Sequence, residues 1–222
     1  PREMGNAHTG QPGPIAAMNA IRTRLRPSTD GYERPDGLNG AALVIGFGRV
    51  GQIASQFLFE CGYEISIIDT DVEMIDTARS LDFKVYYGDG KRLDILEAAG
   101  AGRAGVVLVC VDKAEEGTRI TELVKAEFPL VPVLVRAVDR RHSIDLIKAG
   151  ADLEVRETFE SAFLLGQAAL TRLGVDRAEI DEIAQRLRER DRERLQMEIT
   201  GGMFAGRALF SGKRKAADNG ES

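Results

Sequence analysis

Gly46-Phe47-Gly48-Arg49-Val50-Gly51 sets three glycines at the spacing G-x-G-x-x-G. Where such a run joins a buried strand to a helix, each glycine meets a different need. Gly46 permits a tight turn, Gly48 lets the backbone come close to a pyrophosphate, and Gly51 lets the helix lie close on the strand. The N–H groups of that turn, with Phe47, Arg49 and Val50 between the glycines, and the positive end of the helix dipole then hold phosphate. The second component of such a cradle is an acid about twenty residues further on, and Asp69 lies 18 residues after Gly51. A carboxylate there accepts hydrogen bonds from ribose hydroxyls and repels a 2′-phosphate. The next residues, Thr70 and Asp71, bring no arginine to offset that repulsion, so NAD(H) or AMP fits better than NADP. Gly88 and Asp89, in Tyr87-Gly88-Asp89-Gly90, follow a third strand and fall on the same sheet edge. So does Asp112, after a fourth. The plainer alternative is that these glycines serve turns and these aspartates cap helices.

The surrounding texture supplies the elements this cradle needs. Ala41-Ala42-Leu43-Val44-Ile45 is a short apolar run of the kind a parallel strand buried on both faces shows. Glu64–Asp69, Lys84–Tyr87, Val106–Val111 and Val133–Val135 repeat the signal, and a short sixth strand is expected at Leu153–Val155. Helical stretches near 50–61, 71–81, 91–99, 114–127 and 140–149 alternate with them. This order predicts an α/β fold, a Rossmann-like doubly wound parallel sheet, over residues 40–156. Five of the seven prolines fall in the first 36 residues, so 1–39 reads as a linker with at most a short helix around Ile15–Leu25. Residues 157–200 read as a helical extension or dimer arm, and 201–222 as a flexible tail.

Composition narrows the function classes. The net charge of −5 argues against nucleic acid as a partner. No apolar run approaches the roughly 20 residues of a membrane span. Two cysteines, Cys61 and Cys110, make no disulfide framework, and with two histidines they offer no zinc spacing. A hydride-transfer enzyme would need a substrate domain and an acid–base residue. His142, early in a helix, reads as a surface histidine, and Cys110, in an apolar strand, as a buried small side chain. No catalytic residue and no metal site are assigned.

Two helices close the chain. Thr158–Leu173 carries Phe159, Ala162, Phe163, Gly166, Ala169, Leu170 and Leu173 on one face. Asp176–Arg194 has 13 charged residues in 19 yet keeps Ile180, Ile183 and Leu187 in helical spacing. A solvated helix laced with i,i+4 ion pairs explains most of that charge. The pair offers more apolar surface than one small sheet needs, which predicts a homodimer with Phe159, Phe163, Ile180, Ile183 and Leu187 at or near the seam.

GFGRVGQ (Gly46–Gln52), YYGDG-x-R-x-D-x-L (Tyr86–Leu96), AGAGRA (Ala99–Ala104) and VRETFESA (Val155–Ala162) together resemble the KTN or RCK (TrkA-N) regulatory domain of Kef-type glutathione-regulated potassium efflux systems. The resemblance covers roughly residues 40–200. It implies the regulatory part of a cation:proton antiporter-2 protein at the cytoplasmic face of the bacterial inner membrane. Such domains dimerise, bind NAD(H) or AMP, and gate the membrane antiporter domain that precedes them in the same chain. The start at Pro1, without methionine or signal peptide, fits a piece of a longer chain. The resemblance also brings a glutathione-type ligand and an ancillary oxidoreductase subunit into view. Its three ligand positions fall on Gln56, Arg156 and Asp191, where glutathione-gated members carry arginine, arginine and asparagine. One lost cation and one added carboxylate predict weak binding of an anionic tripeptide. Arg156 beside Glu157 equally fits an internal ion pair. The rival functions are a small NAD-dependent oxidoreductase and a soluble Trk-type potassium-uptake regulator.

Overall fold

The computed structural model describes residues 41–201. The expectation for 1–39 lies outside the described residues, as does that for 201–222 beyond Gly201, which ends the last helix. Six strands, β1 (Ala42–Ile45), β2 (Ile65–Asp69), β3 (Lys84–Tyr87), β4 (Val106–Val109), β5 (Val133–Ala137) and β6 (Leu153–Arg156), form one sheet in the order β3-β2-β1-β4-β5-β6. Every pairing is parallel. The doubly wound sheet expected from the alternating apolar runs is therefore present, short sixth strand included.

Side chains alternate across the pleat, so β1, β2, β3 and β4 each feed two cores. Leu43 and Ile45 point into a large cluster with Ile68, Leu96, Val107, Val109, Ile120, Val133 and Leu146. Val44 points the other way, into Phe47, Ile65, Ile67, Ala78 and Cys110. All four residues of β1 are buried, as the uninterrupted apolar run requires, whereas β3 and β6 at the sheet edges are half exposed.

Helices α1 (Arg49–Glu60), α2 (Val72–Ser80), α3 (Leu93–Ala98), α4 (Ala114–Glu127) and α5 (Arg140–Lys148) connect the strands. Several boundaries differ from expectation by a residue or two, β5 running on to Ala137 and β6 to Arg156. β4 stops at Val109, so Cys110 and Val111 belong to the turn beyond it. The stretch after α3 breaks at Gly100, whose φ of +86° opens a single 3-10 turn at Ala101–Arg103.

A hairpin of α6 (Glu157–Arg172) and α7 (Arg177–Gly201) follows β6, the chain turning at Gly174 with φ +80°. No residue of α6 is buried, and Leu164, Leu165 and Leu173 are 66–79% exposed. Ile180, placed above at an intermolecular seam, is instead buried at 2% within this chain, where it anchors α7. Among the described residues no helix is long and apolar enough to cross a membrane.

Candidate functional site

The strand order reverses between β1 and β4, the point at which sheets of this kind hold ligands in a crevice at the carboxyl edge. The glycine turn sits at that edge. Gly46 has φ +92°, and a Cβ on it would come within 2.9 Å of Val111 N. A Cβ on Gly51 would lie 2.1 Å from the Gly46 carbonyl oxygen, an impossible approach to backbone. Both glycines are demanded by the fold itself. Gly48 is not. Its φ of −70° and ψ of −165° are extended values open to any residue, and a Cβ there would meet nothing within 4 Å. Among the described residues, nothing stands in the space beside Gly48.

Phe47 fixes the turn on three sides. Its ring is fully buried and packs edge-on to Phe83 with centroids 5.8 Å apart, a burial that contributes about 1.5–3 kcal/mol. Its N–H donates to Asp69 Oδ2 at 2.6 Å, and its carbonyl accepts from Gln52 Nε2 at 3.0 Å. Asp69 Oδ1 accepts from the Asp71 N–H at 2.8 Å, and each carboxylate oxygen keeps a lone pair for a further donor. The acid that the spacing assigned to ribose thus also ties β2 to the glycine turn.

The head of α1 is electrostatically open. Its first intrahelical hydrogen bond runs from Gln52 N to Gly48 O, so the N–H groups of Arg49, Val50 and Gly51 have no helical carbonyl to reach. No acid stands in its first turn, whereas α2, α4 and α6 carry Glu73, Glu115 with Glu116, and Glu157 with Glu160 there. Arg49 is exposed at this end and Val50 packs into the core beside Phe47. The dipole is left for an outside anion.

The remaining predicted residues divide. Asp71 caps α2 by accepting from Glu73 N at 2.8 Å, and Thr70 is exposed beside it. Gly88 donates to the Asp69 carbonyl at 3.0 Å, and Asp89 accepts from Lys91 N at 2.9 Å. Asp112 is engaged by Arg136 of β5, whose guanidinium also donates to Glu157 Oε2 at 2.7 Å. Sequence reasoning missed Gly90, where a Cβ would meet Ile45 Cγ2 at 2.5 Å. Only glycine lets that loop cross the end of β1. It also missed Lys91, which reaches Glu116 Oε1 at 3.2 Å and ties the same loop to α4. Hydrogen bonds from Lys113 first and Lys91 second hold the Glu116 carboxyl below its ordinary range.

The three positions drawn from the glutathione resemblance do not form one cluster in this chain. Gln56 is exposed on α1, which packs on β1 and β2. Arg156 ends β6 at the sheet edge, three strands over from β1. Arg156 and Asp191 do meet, as a two-pronged ion pair, and Arg140 Nη1 adds a second cation on Asp191 Oδ1 at 2.6 Å. The Arg156 guanidinium also lies 4.4 Å above the Phe159 ring. Arg156 is thus internally paired, with Asp191 and not with its neighbour Glu157. Arg140 Nε and Arg194 Nε then share Glu198, the first at 2.7 Å and the second at 2.8 Å. α7 is therefore more than a solvated helix: Asp191 and Glu198 clamp it to α5 and β6.

His142 is buried at 3%, not on the surface as its early-helix position suggested. Gly117 on α4 leaves the room, since a Cβ there would stand 3.3 Å from His142 Cε1. Its Nδ1 accepts from Val138 N at 3.1 Å, and burial lowers its pKa against the opposing pull of Asp139 and Asp145. Cys110 is buried as expected, and burial pushes its thiol up to about 11, far from a nucleophile's range.

An all-parallel 3-2-1-4-5-6 sheet with a glycine turn at its reversal point defines a Rossmann-type α/β domain. Residues 42–157 match the TrkA-N domain family, and the chain belongs to it. A glutathione-regulated potassium-efflux system protein of Haemophilus influenzae is 44% identical over 165 residues, 74% of this chain and 27% of that relative. The Shewanella denitrificans Kef CTD in AMP bound form superposes with a TM-score of 0.66 at 34% identity, over 72% of this chain and 98% of that one. The GsuK channel bound to NAD superposes with a TM-score of 0.53 at 26% identity, over 61% of this chain and 24% of that one. The chain spans about a quarter of the length of the curated relatives it matches (27% and 28%).

Proposed function

We propose that this chain is the nucleotide-binding regulatory module of a Kef-type potassium/proton antiporter, that it takes AMP or NAD(H) at the Gly46–Gly51 turn, and that it catalyses no reaction. The observation that carries the reading is the contrast among the three glycines. Gly46 and Gly51 answer to the protein's own backbone, whereas the bare backbone of Gly48 faces empty space beside an uncompensated helix head. A phosphate group suits that helix head in sign. Asp69 would accept from the ribose hydroxyls, and Asp89 borders the same edge. The AMP and NAD named for the two structural relatives support the same ligand class.

A regulatory role, and not an oxidoreductase one, is supported by what the reactive side chains already do. Cys110 is buried with a raised pKa, and His142 serves the β5–α5 turn. Ligand binding would act on an attached membrane domain by favouring one of two arrangements, to the extent of its differential affinity for them. A homodimer through the exposed leucines of α6 would give that bias a lever. Calorimetry with AMP, NAD and NADH tests the binding step: saturable binding is expected, and none of the three binding at millimolar concentration overturns the reading.

A further inference from the structure

We propose that Gln52 is a positioning residue of this site, whose carboxamide aims the Gly48 N–H at the bound phosphate. The assignment rests on the nucleotide reading above. Gln52 Nε2 donates to the Phe47 carbonyl at 3.0 Å and touches Met74 Sδ of α2 at 3.4 Å. The peptide joining Phe47 to Gly48 is planar and trans, so its carbonyl and its N–H point to opposite sides. Holding the carbonyl on the Gln52 side therefore holds the Gly48 N–H on the other.

That restraint is needed at this peptide more than at its neighbours. The preceding peptide is already pinned, with the Phe47 N–H on Asp69 and the Phe47 ring buried. Gly48 has no Cβ, and among the described residues none stands beside it to resist a rotation of its amide. The bareness that admits a phosphate also lets the peptide turn its donor away. Gln52, one turn into α1, supplies the missing constraint without occupying the ligand's space. Only a side chain with a hydrogen-bond donor at this length does so, because the group it must hold is a carbonyl.

The test uses the whole chain, AMP as the probe, and three variants. Gln52→Leu keeps the bulk against Met74 and loses the donor. It should weaken AMP binding about tenfold by calorimetry while the melting temperature without nucleotide moves by no more than a few degrees. Gln52→Glu should bind more weakly still at pH 7.5, where a carboxylate opposes both the carbonyl and the phosphate. Relative to wild type it should recover as pH falls toward 5 and the carboxyl regains a proton to donate. Gly48→Val marks the complete loss. Wild-type affinity in Gln52→Leu, beside lost binding in Gly48→Val, overturns the positioning role and leaves the nucleotide reading standing. A lowered melting temperature with unchanged affinity and no pH-dependent recovery in Gln52→Glu overturns it too, by making Gln52 merely structural. Absence of AMP binding to wild type overturns both.

Discussion

Replacing Gly48 by valine separates what the fold needs from what a ligand needs. Without nucleotide the backbone cost is nil, because φ −70° and ψ −165° suit any L residue and the new Cβ meets nothing within 4 Å. Restricting the unfolded chain should stabilise by about 0.4–1 kcal/mol. Losing a tolerable helix N-cap should cost a similar amount, roughly 0.5–1 kcal/mol. The two nearly cancel, so the variant should melt within about 4 °C of wild type for a domain of this size. With nucleotide the outcome differs. At a hundredfold excess over Kd, wild type gains about 2.7 kcal/mol, or roughly 5–10 °C. The methyls of the introduced valine would stand where the phosphate must come, and that gain should vanish. Gly51→Ala is the control. Its Cβ at 2.1 Å from the Gly46 carbonyl oxygen cannot be relieved by moving a side chain, so the fold itself should fail. Differential scanning fluorimetry with and without AMP reads all three proteins. A Gly48→Val protein that keeps the nucleotide shift, or that melts as low as Gly51→Ala, would refute the reasoning.

His142 should give stability a particular pH dependence. Its folded pKa is lowered by burial from an ordinary 6.5, so below that value the unfolded chain binds the proton more readily than the folded one. Its contribution is full above pH 6.5 and lost as pH falls from there toward the folded pKa. Melting curves from pH 8 to 5 should show this loss, and His142→Gln should flatten it. Asp191→Asn should lower the melting temperature, since Arg140 and Arg156 lose a largely buried counter-charge worth about 3 kcal/mol. Glutathione binding should be weak or undetectable by calorimetry in wild type, because Asp191 already occupies Arg156 and Arg140; tight wild-type binding would contradict that pairing as the resting state of Arg156. The paired change Leu164→Glu, Leu165→Glu removes apolar surface that touches little of its own chain. Light scattering should fall from about twice the chain mass to one chain mass, with the melting temperature of the monomer unchanged; a wild-type monomer at tens of micromolar would contradict the dimer.

Much of the frame was legible because it is written locally. Leu43-Val44-Ile45 and Val106–Val109 are apolar throughout since β1 and β4 are covered on both faces, and the glycine spacing follows from the turn between β1 and α1. What escaped depends on residues far apart in sequence. Gly90 looks like any loop glycine until Ile45 is found beneath it. His142 could be buried only because Gly117, 25 residues earlier, leaves a gap on α4. The charge of α7 suggested solvent, since nothing local says that Asp191 will meet Arg140, 51 residues away, or that Glu198 will be shielded by two arginine stems. Gln52 was visible within GFGRVGQ, but its task appears only when the Phe47 carbonyl is seen to face it.

Where the nucleotide sits can be read directly from amide NMR of the 222-residue chain titrated with AMP. Seating at the crevice predicts the largest, saturable shifts at the amides of Gly48, Arg49 and Val50, with smaller ones near Asp69 and Asp89. The alternative is equally concrete. A cavity of about 590 Å³ opens at the opposite edge of the sheet, lined by residues that include Tyr63, Phe83, Lys84 and Arg103. Shifts confined to that edge, or no saturable shift at Gly48, would contradict a nucleotide site at the glycine turn.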